Sequence, residues 1–198
     1  MTEPRLTRRP FYFMRHGETD WNRLRVMQGH VDRPLTEVGL AQAAQVAPFV
    51  AKEPIVTICH SPLIRAHRTA EILNEGLGRT MVPLDNLREC NFGIHEGAPS
   101  RGEWRQPWLD GGEIEGGERL LDFLARAVTG INEALEHPGP VLVVAHGGVF
   151  WAIERYALKR PQSGIPNCTL FKLEPLEDET WRLTEVAAPE QITVYPKD

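Results

Sequence analysis

Disulfide stapling, zinc ligation, membrane insertion and polyanion binding all need residues that this sequence has little of. The 198-residue chain holds three cysteines, Cys59, Cys90 and Cys168. They form no CxxC pair and leave an odd count, which excludes a disulfide framework and makes a reducing, cytoplasmic compartment the simplest home. Neither an HExxH sequence nor paired Cys/His spacing of the zinc type occurs, so no metal is expected. No apolar run approaches the roughly 20 residues of a membrane span. Only the short run Phe11 to Met14 separates the basic N-terminal stretch from Arg15, against the roughly 7 to 15 residues of a secretory signal's apolar region. A basic excess is also missing. The net charge of −5 argues against a nucleic-acid or anionic-membrane surface, so any anion site must be concentrated in a pocket.

What is present fits an ordinary soluble globular protein: 41% hydrophobic and 25% charged residues are enough to build a core without help from metal or disulfides. One domain over 1–198 is the simplest organisation. Strand-like stretches lie at Phe11 to Arg15, Ile55 to Cys59, Met81 to Leu84, Val141 to Ala145, Thr169 to Leu173 and Trp181 to Val186. Helical patterns fall between them at Thr36 to Lys52, Leu63 to Glu75, Glu118 to Glu136 and Val149 to Leu158, with Pro48 expected to kink or shorten the first. This alternation predicts an α/β domain with a mainly parallel sheet, whose ligands bind along the C-terminal edge of the strands. Residues 92–117, rich in glycine and proline with two tryptophans, break the alternation. They read as a lid-like insertion over that edge.

Two stretches are alike. "FYFMRHG" and "VLVVAHGG" each run an apolar strand straight into His-Gly, which puts His16 and His146 on the ligand edge. Glycine after each histidine lets a ligand approach the backbone, and a following helix N-terminus adds N–H donors for an anion. A third strand end, "IVTICHSPLIRAHRTAEIL", delivers Ser61 and Pro62 and then Arg65 in the first helical turn. Arg15, Arg65, His16 and His146 together would form a compact positive pocket, since planar guanidinium forks match phosphate oxygens. In such a cage a neutral imidazole can attack phosphorus in line, and departure of the leaving group then needs an acid. Glu89 in "NLRECNFG" is one candidate for that acid, Glu18 and Glu96 being the others.

The ordered series "RHGETDWN", "QGHVDRPLTEVGLAQA", "SPLIRAHRTAEIL", "LRECNFGIHEG", "EGGE" and "VLVVAHGGV" resembles the histidine phosphatase superfamily, in its phosphoglycerate mutase-like branch, from about Phe11 to about Leu173. The resemblance implies a three-layer α/β/α sandwich and catalysis by His16 as phosphate-accepting nucleophile. It implies Arg15, Arg65 and His146 as the phosphate pocket, Glu89 as proton donor, Asn22 near the phosphate, and Gln28 and Gly29 at the rim. It implies no metal and no organic cofactor. His95 stands where relatives commonly carry tryptophan, and Arg119 where serine is frequent.

Phosphoglycerate mutases of this family usually carry a longer insertion after the glutamate segment and a longer C-terminal tail. The expected activity is therefore hydrolysis of a small phosphorylated metabolite, with mutase-type transfer and non-catalytic phospho-ligand binding as the alternatives. Phe92, Trp104 and Trp108 are expected to pack the lid or face the substrate, with Arg101 and Arg105 near enough to hold a second anionic group. Oligomeric state stays open, a homodimer through an edge strand or apolar patch being one arrangement.

Overall fold

The computed structural model describes residues 3–190, so the outer limits of a domain drawn at 1–198 lie outside the described residues. Its centre is a six-stranded sheet in the order β3-β2-β4-β1-β5-β6. The strands are β1 Phe11–Arg15, β2 Thr57–His60, β3 Thr80–Pro83, β4 Val141–Ala145, β5 Leu170–Pro175 and β6 Trp181–Ala187. β1 to β4 run parallel, while β5 and β6 add an antiparallel edge.

Alternation within the central strands assigns their side chains to two cores. Phe11 and Phe13 of β1 and Val141, Val143 and Ala145 of β4 face one core, whereas Tyr12, Met14, Leu142 and Val144 face the other. A strand apolar on both faces is stable only where helices cover both sides. The first core is closed by α5 (Leu120–Glu136) and α6 (Gly147–Tyr156), the second by α2 (Glu37–Lys52) and α3 (Ile64–Asn74). The result is the expected α/β/α sandwich. Each large side chain so buried contributes on the order of 1.5–3 kcal/mol.

Pro48 does not end α2, which continues to Lys52. Proline removes one helical hydrogen bond, to the carbonyl four residues earlier. That residue, Ala44, is exposed, as is Pro48, so water can satisfy the freed oxygen. Other boundaries move, α6 to Gly147–Tyr156 among them. β2 starts two residues later than expected because Ile55 and Val56 precede the ladder, and α3 begins at Ile64, which leaves Pro62 just outside its first turn. α5 begins at Leu120, since Glu118 is drawn into side-chain bonding and Arg119 is the N-cap residue. Two short helices, α1 Asp20–Arg23 and α4 Arg105–Leu109, fall where no element was expected, the second inside the lid-like insertion. α1 is held by a capping box between Thr19 and Asn22.

Candidate active site

β1 and β4 are neighbours, with Arg15 opposite Ala145, so the residues that follow them emerge side by side. The rings of His16 and His146 lie 5.2 Å apart between centroids. His16 is buried, its backbone N–H bonded to Ala145 O at 3.0 Å. Its Nδ1 sits 2.7 Å from Gly17 O. A carbonyl only accepts, so Nδ1 carries the proton and Nε2 keeps its lone pair. Gly17 admits no side chain, because a Cβ there would lie 2.5 Å from Gly39 O.

Arg65, in the first turn of α3, is also buried; its Nη2 donates to Gly29 O at 2.8 Å and its Nη1 to Val31 O at 3.1 Å. Arg15 Nη1 donates to Ile165 O at 2.8 Å. Both guanidinium groups are thereby fixed in place by backbone carbonyls, yet Arg15 Nε and Arg65 Nε remain buried without a partner. His146 Nδ1 is in the same condition, while its Nε2 lies 2.7 Å from Ser61 Oγ. Buried orphan donors cost about 1–3 kcal/mol each. The two arginine Nε–H groups, whose charges both act on His16, are free to donate to an anion.

Burial, then the neighbouring charges of Arg65 and Arg15, hold His16 well below the usual imidazole range. His146 is lowered by burial and by Arg65, His16 and Arg15. Burial also brings Arg65 down to about 10. Both histidines are therefore neutral near pH 7 in the free protein, as a nucleophile must be, and both arginines stay charged.

A cleft of about 400 Å³ opens above this floor, lined by Arg15, His16, Asn22, Gln28, Gly29, Arg65 and Glu89 among others. Of the three candidate carboxylates the fold brings Glu89 to the cleft and not the other two. Glu89 Oε2 accepts from Gly148 N at 3.1 Å, at the N-terminus of α6, and Oε1 from Cys90 N at 2.9 Å. Glu18 instead accepts from Thr36 Oγ1 at 2.9 Å, and Glu96 from His30 N at 2.7 Å. One oxygen of each is thereby held in loop structure away from the cleft lining. Of the lid aromatics, Phe92 lines the cleft, Trp108 is buried with Nε1 donating to Glu118 O at 2.9 Å, and Trp104 stacks on His95. Arg101 and Arg105 line the cleft wall. Arg119 does not; it pairs with Glu113 at 3.5 Å on the surface.

Several supports went unread in the sequence. Asn167 Nδ2 donates to His16 O at 2.7 Å and reaches Asn22 Oδ1 at 3.4 Å, tying the nucleophile loop to α1. Its only signal is a Pro-Asn step before an apolar strand. Glu154 is fully buried on α6 and accepts from Arg160 Nη2 at 2.9 Å and Ser163 N at 2.8 Å, anchoring the loop that carries Ile165. A lone carboxylate one helical turn after Phe150, on the apolar face, was the available clue. Arg126 forks onto Glu118 at 2.7 Å through both Nε and Nη2 and also donates to Glu89 O at 3.1 Å, bracing the segment behind Glu89.

Fold and floor together define an α/β protein that gathers two buried histidines and two arginines at the ends of its parallel strands. Residues 11–188 match the histidine phosphatase superfamily (branch 1). The chain is 33% identical over 186 residues, 86% of each chain, to a probable phosphoglycerate mutase, GpmB, of Yersinia pestis. Its fold matches a mycobacterial glucosyl-3-phosphoglycerate phosphatase solved with VO3, at a TM-score of 0.77 and 30% identity, covering 89% of this chain and 98% of that one. It also matches YhfR of Bacillus stearothermophilus at a TM-score of 0.75 and 27% identity, covering 89% and 95%. The chain belongs to the histidine phosphatase superfamily, and it is an enzyme of its phosphatase and mutase type.

Proposed function

We propose that the protein is a metal-independent phosphomonoester hydrolase in which His16 accepts the phosphoryl group of a small phosphorylated metabolite. One observation carries the reading. His16, protonated at Nδ1 by its bond to Gly17 O, offers the lone pair of Nε2 in a cleft where Arg15 and Arg65 leave donors unpartnered. Nε2 attacks phosphorus, the N–P bond forms and the ester P–O bond breaks. Glu89, at the cleft wall, passes a proton to the departing oxygen. It then takes one from the water that cleaves the phosphohistidine, returning inorganic phosphate and free His16. Arg15, Arg65 and His146 offset the charge gathered on the transferring oxygens, with Asn22, Gln28 and Gly29 bounding the site. Burial first and the arginine charges second keep His16 neutral; a dianionic phosphate offsets the second of these, so binding of substrate raises its basicity as the bond forms.

Mutase-type transfer is the second reading, favoured by the similarity to a protein named as a probable phosphoglycerate mutase. The names of the structural neighbours, among them a glucosyl-3-phosphoglycerate phosphatase, support hydrolysis. The test is phosphate release from 4-nitrophenyl phosphate with chelator present, by wild type and by His16→Ala. Release by wild type only, with acid-labile phosphate trapped on the protein, is expected. Release by a folded His16→Ala overturns the mechanism. Conversion of 3-phosphoglycerate to its isomer faster than phosphate appears would replace hydrolysis with transfer.

A further inference from the structure

The stretch "PLTEVGLAQA" leads into α2, yet none of its residues lines the cleft. Three of them grip the backbone beside the nucleophile instead. Thr36 N donates to Glu18 O at 2.9 Å, and Thr36 Oγ1 caps α2 by accepting from Gly39 N at 3.1 Å. Gly39 lies so close that a Cβ on it would come within 2.2 Å of Glu18 O. Nearly one turn further on, Gln42 Oε1 accepts from Glu18 N at 2.9 Å. Thr36, Gly39 and Gln42 follow one another at the three-residue spacing of helical neighbours.

The bond to Gln42 acts on the very peptide that receives the ring proton of His16. Glu18 N and Gly17 O belong to one peptide group, and in a planar trans peptide the N–H and C=O point opposite ways. With the N–H held on Gln42, the carbonyl is aimed at His16 Nδ1, 2.7 Å away. The preceding peptide is pinned as well, since His16 O accepts from Asn167 Nδ2 at 2.7 Å and Gly17 N donates to Thr69 Oγ1 at 3.0 Å. Gly17 sits between the two, and glycine offers the least resistance to rotation of a neighbouring peptide. A side chain that would stiffen it has no room, because Gly39 fills the space. The direction of Gly17 O therefore depends on hydrogen bonds, and on the N–H side of its peptide the partner is Gln42.

Resting on the reading of His16 as phosphoryl acceptor, we infer that Gln42 is a positioning residue: through the Gly17–Glu18 peptide it keeps the proton of His16 on Nδ1 and the lone pair on Nε2. Without that bond the peptide is free to turn and Nδ1 loses its acceptor. The ring proton can then occupy Nε2, the atom that must attack phosphorus. Gln42 does not line the cleft, so its effect travels through one hydrogen-bonded peptide.

NMR shifts of the His16 ring nitrogens, assigned by comparison with His16→Ala, read the tautomer directly. In wild type Nδ1 should carry the proton. Gln42→Met, similar in length but without an oxygen, should move the ring toward the form protonated at Nε2. Its kcat/KM for 4-nitrophenyl phosphate should fall by about five- to tenfold, in proportion to the fraction of His16 still bare at Nε2. Gln42→Glu keeps an oxygen at the same reach and should retain the wild-type tautomer, with kcat/KM within about threefold of wild type. Should Gln42→Met not fold, Gln42→Ser, too short to reach Glu18 N, takes its place with the same expectation. A folded protein lacking the Gln42 oxygen whose His16 stays fully protonated at Nδ1 overturns the inference, and so does a Gln42→Glu protein whose ring shifts as far as that of Gln42→Met. If wild type turns over no ester, the hydrolase reading falls separately, and the ring spectra still decide the role of Gln42.

Discussion

The cleft has two halves built in opposite ways. Its floor consists of side chains at the ends of β1 and β4 and on the first turn of α3, nearly all buried, with Arg65 held by two carbonyls and His16 by Gly17 O and Ala145 O. Its wall consists of residues 25–29 and 96–105, joined by three backbone bonds and aromatic stacking, with Arg25 and Arg101 exposed. Displacement at phosphorus demands groups fixed to a fraction of an ångström, which a buried parallel sheet provides. Substrate choice tolerates looser placement and is carried by loops. One scaffold can thus keep its chemistry while the wall varies.

The largest loss should follow from breaking the floor. Arg65→Ala removes a phosphate ligand and leaves Gly29 O and Val31 O without their donor. We expect kcat/KM for any phosphomonoester to fall by about 10²–10³, with Arg65→Lys recovering only part because it lacks the fork. Near-normal rates in Arg65→Ala would remove the floor from the chemistry.

Gly148→Ala separates the carboxylate from the phosphate pocket. A Cβ at 148 would overlap Glu89 Oε1 and come within 2.9 Å of the Phe123 ring, so Glu89 must leave its place at α6. A fall in kcat of about 10- to 100-fold, with inhibition by inorganic phosphate little changed, is the expected split. Weaker phosphate binding at unchanged kcat would count against Glu89 as the acid.

Glu154→Gln should act more gently, since it reaches the floor only through a loop. It weakens the bonds to Arg160 and Ser163, costs about 1–3 kcal/mol of stability, and frees the segment whose Ile165 O positions Arg15. A several-fold rise in KM with kcat nearly kept is the outcome to look for in steady-state kinetics.

The same division explains what could be read from the sequence. Strands apolar on both faces, followed by His-Gly, expose their position through local pattern, so the placing of His16, His146, Arg15 and Arg65 at the strand-end edge was legible, and β1 and β4 fell where expected. Asn167, Glu154 and Arg126 were not, because each acts through partners 6 to 151 residues away along the chain, a separation that no local periodicity records. Glu154 lies closest of these to its partners, and its misfit on an apolar helix face was visible. The wall was legible only as irregular sequence. Its geometry depends on pairing between residues 25–29 and 96–100, which propensity cannot foresee.

Acid sharpens the contrast, since the floor buries its neutral histidines and the wall buries none. His16 and His146 have folded-state pKa values below the ordinary 6.5. Above about that pH both states are neutral and neither residue affects stability. Below it the unfolded chain binds protons that the folded chain refuses, so stability falls as pH drops, by about 1.4 kcal/mol per pH unit per histidine until the folded value is reached. His146→Asn should therefore lose less stability than wild type between pH 7.5 and 5.5 in urea unfolding. In the free protein the ring protons of His16 should show no titration step near 6.5 by NMR. A step at that position would mean that water reaches His16 in the free protein and that its burial, the main cause of the lowered value, is not maintained in solution.

The smallest effect belongs to the outer wall. His95 stacks on Trp104 with centroids 4.6 Å apart and planes 11° from parallel, and Trp104 packs edge-on against Phe92. His95→Ala removes one layer of a partly exposed stack, which is worth about 0.5–1.5 kcal/mol in stability. Turnover of 4-nitrophenyl phosphate should then stay within about a factor of two, because no bond links His95 to the floor. Trp104 directly precedes Arg105 of the cleft wall, however, so KM should move further than kcat. A His95→Ala protein whose kcat fell as far as its KM rose would show that the link between the halves, Arg65 to Gly29 O, carries the packing of the stack into the floor.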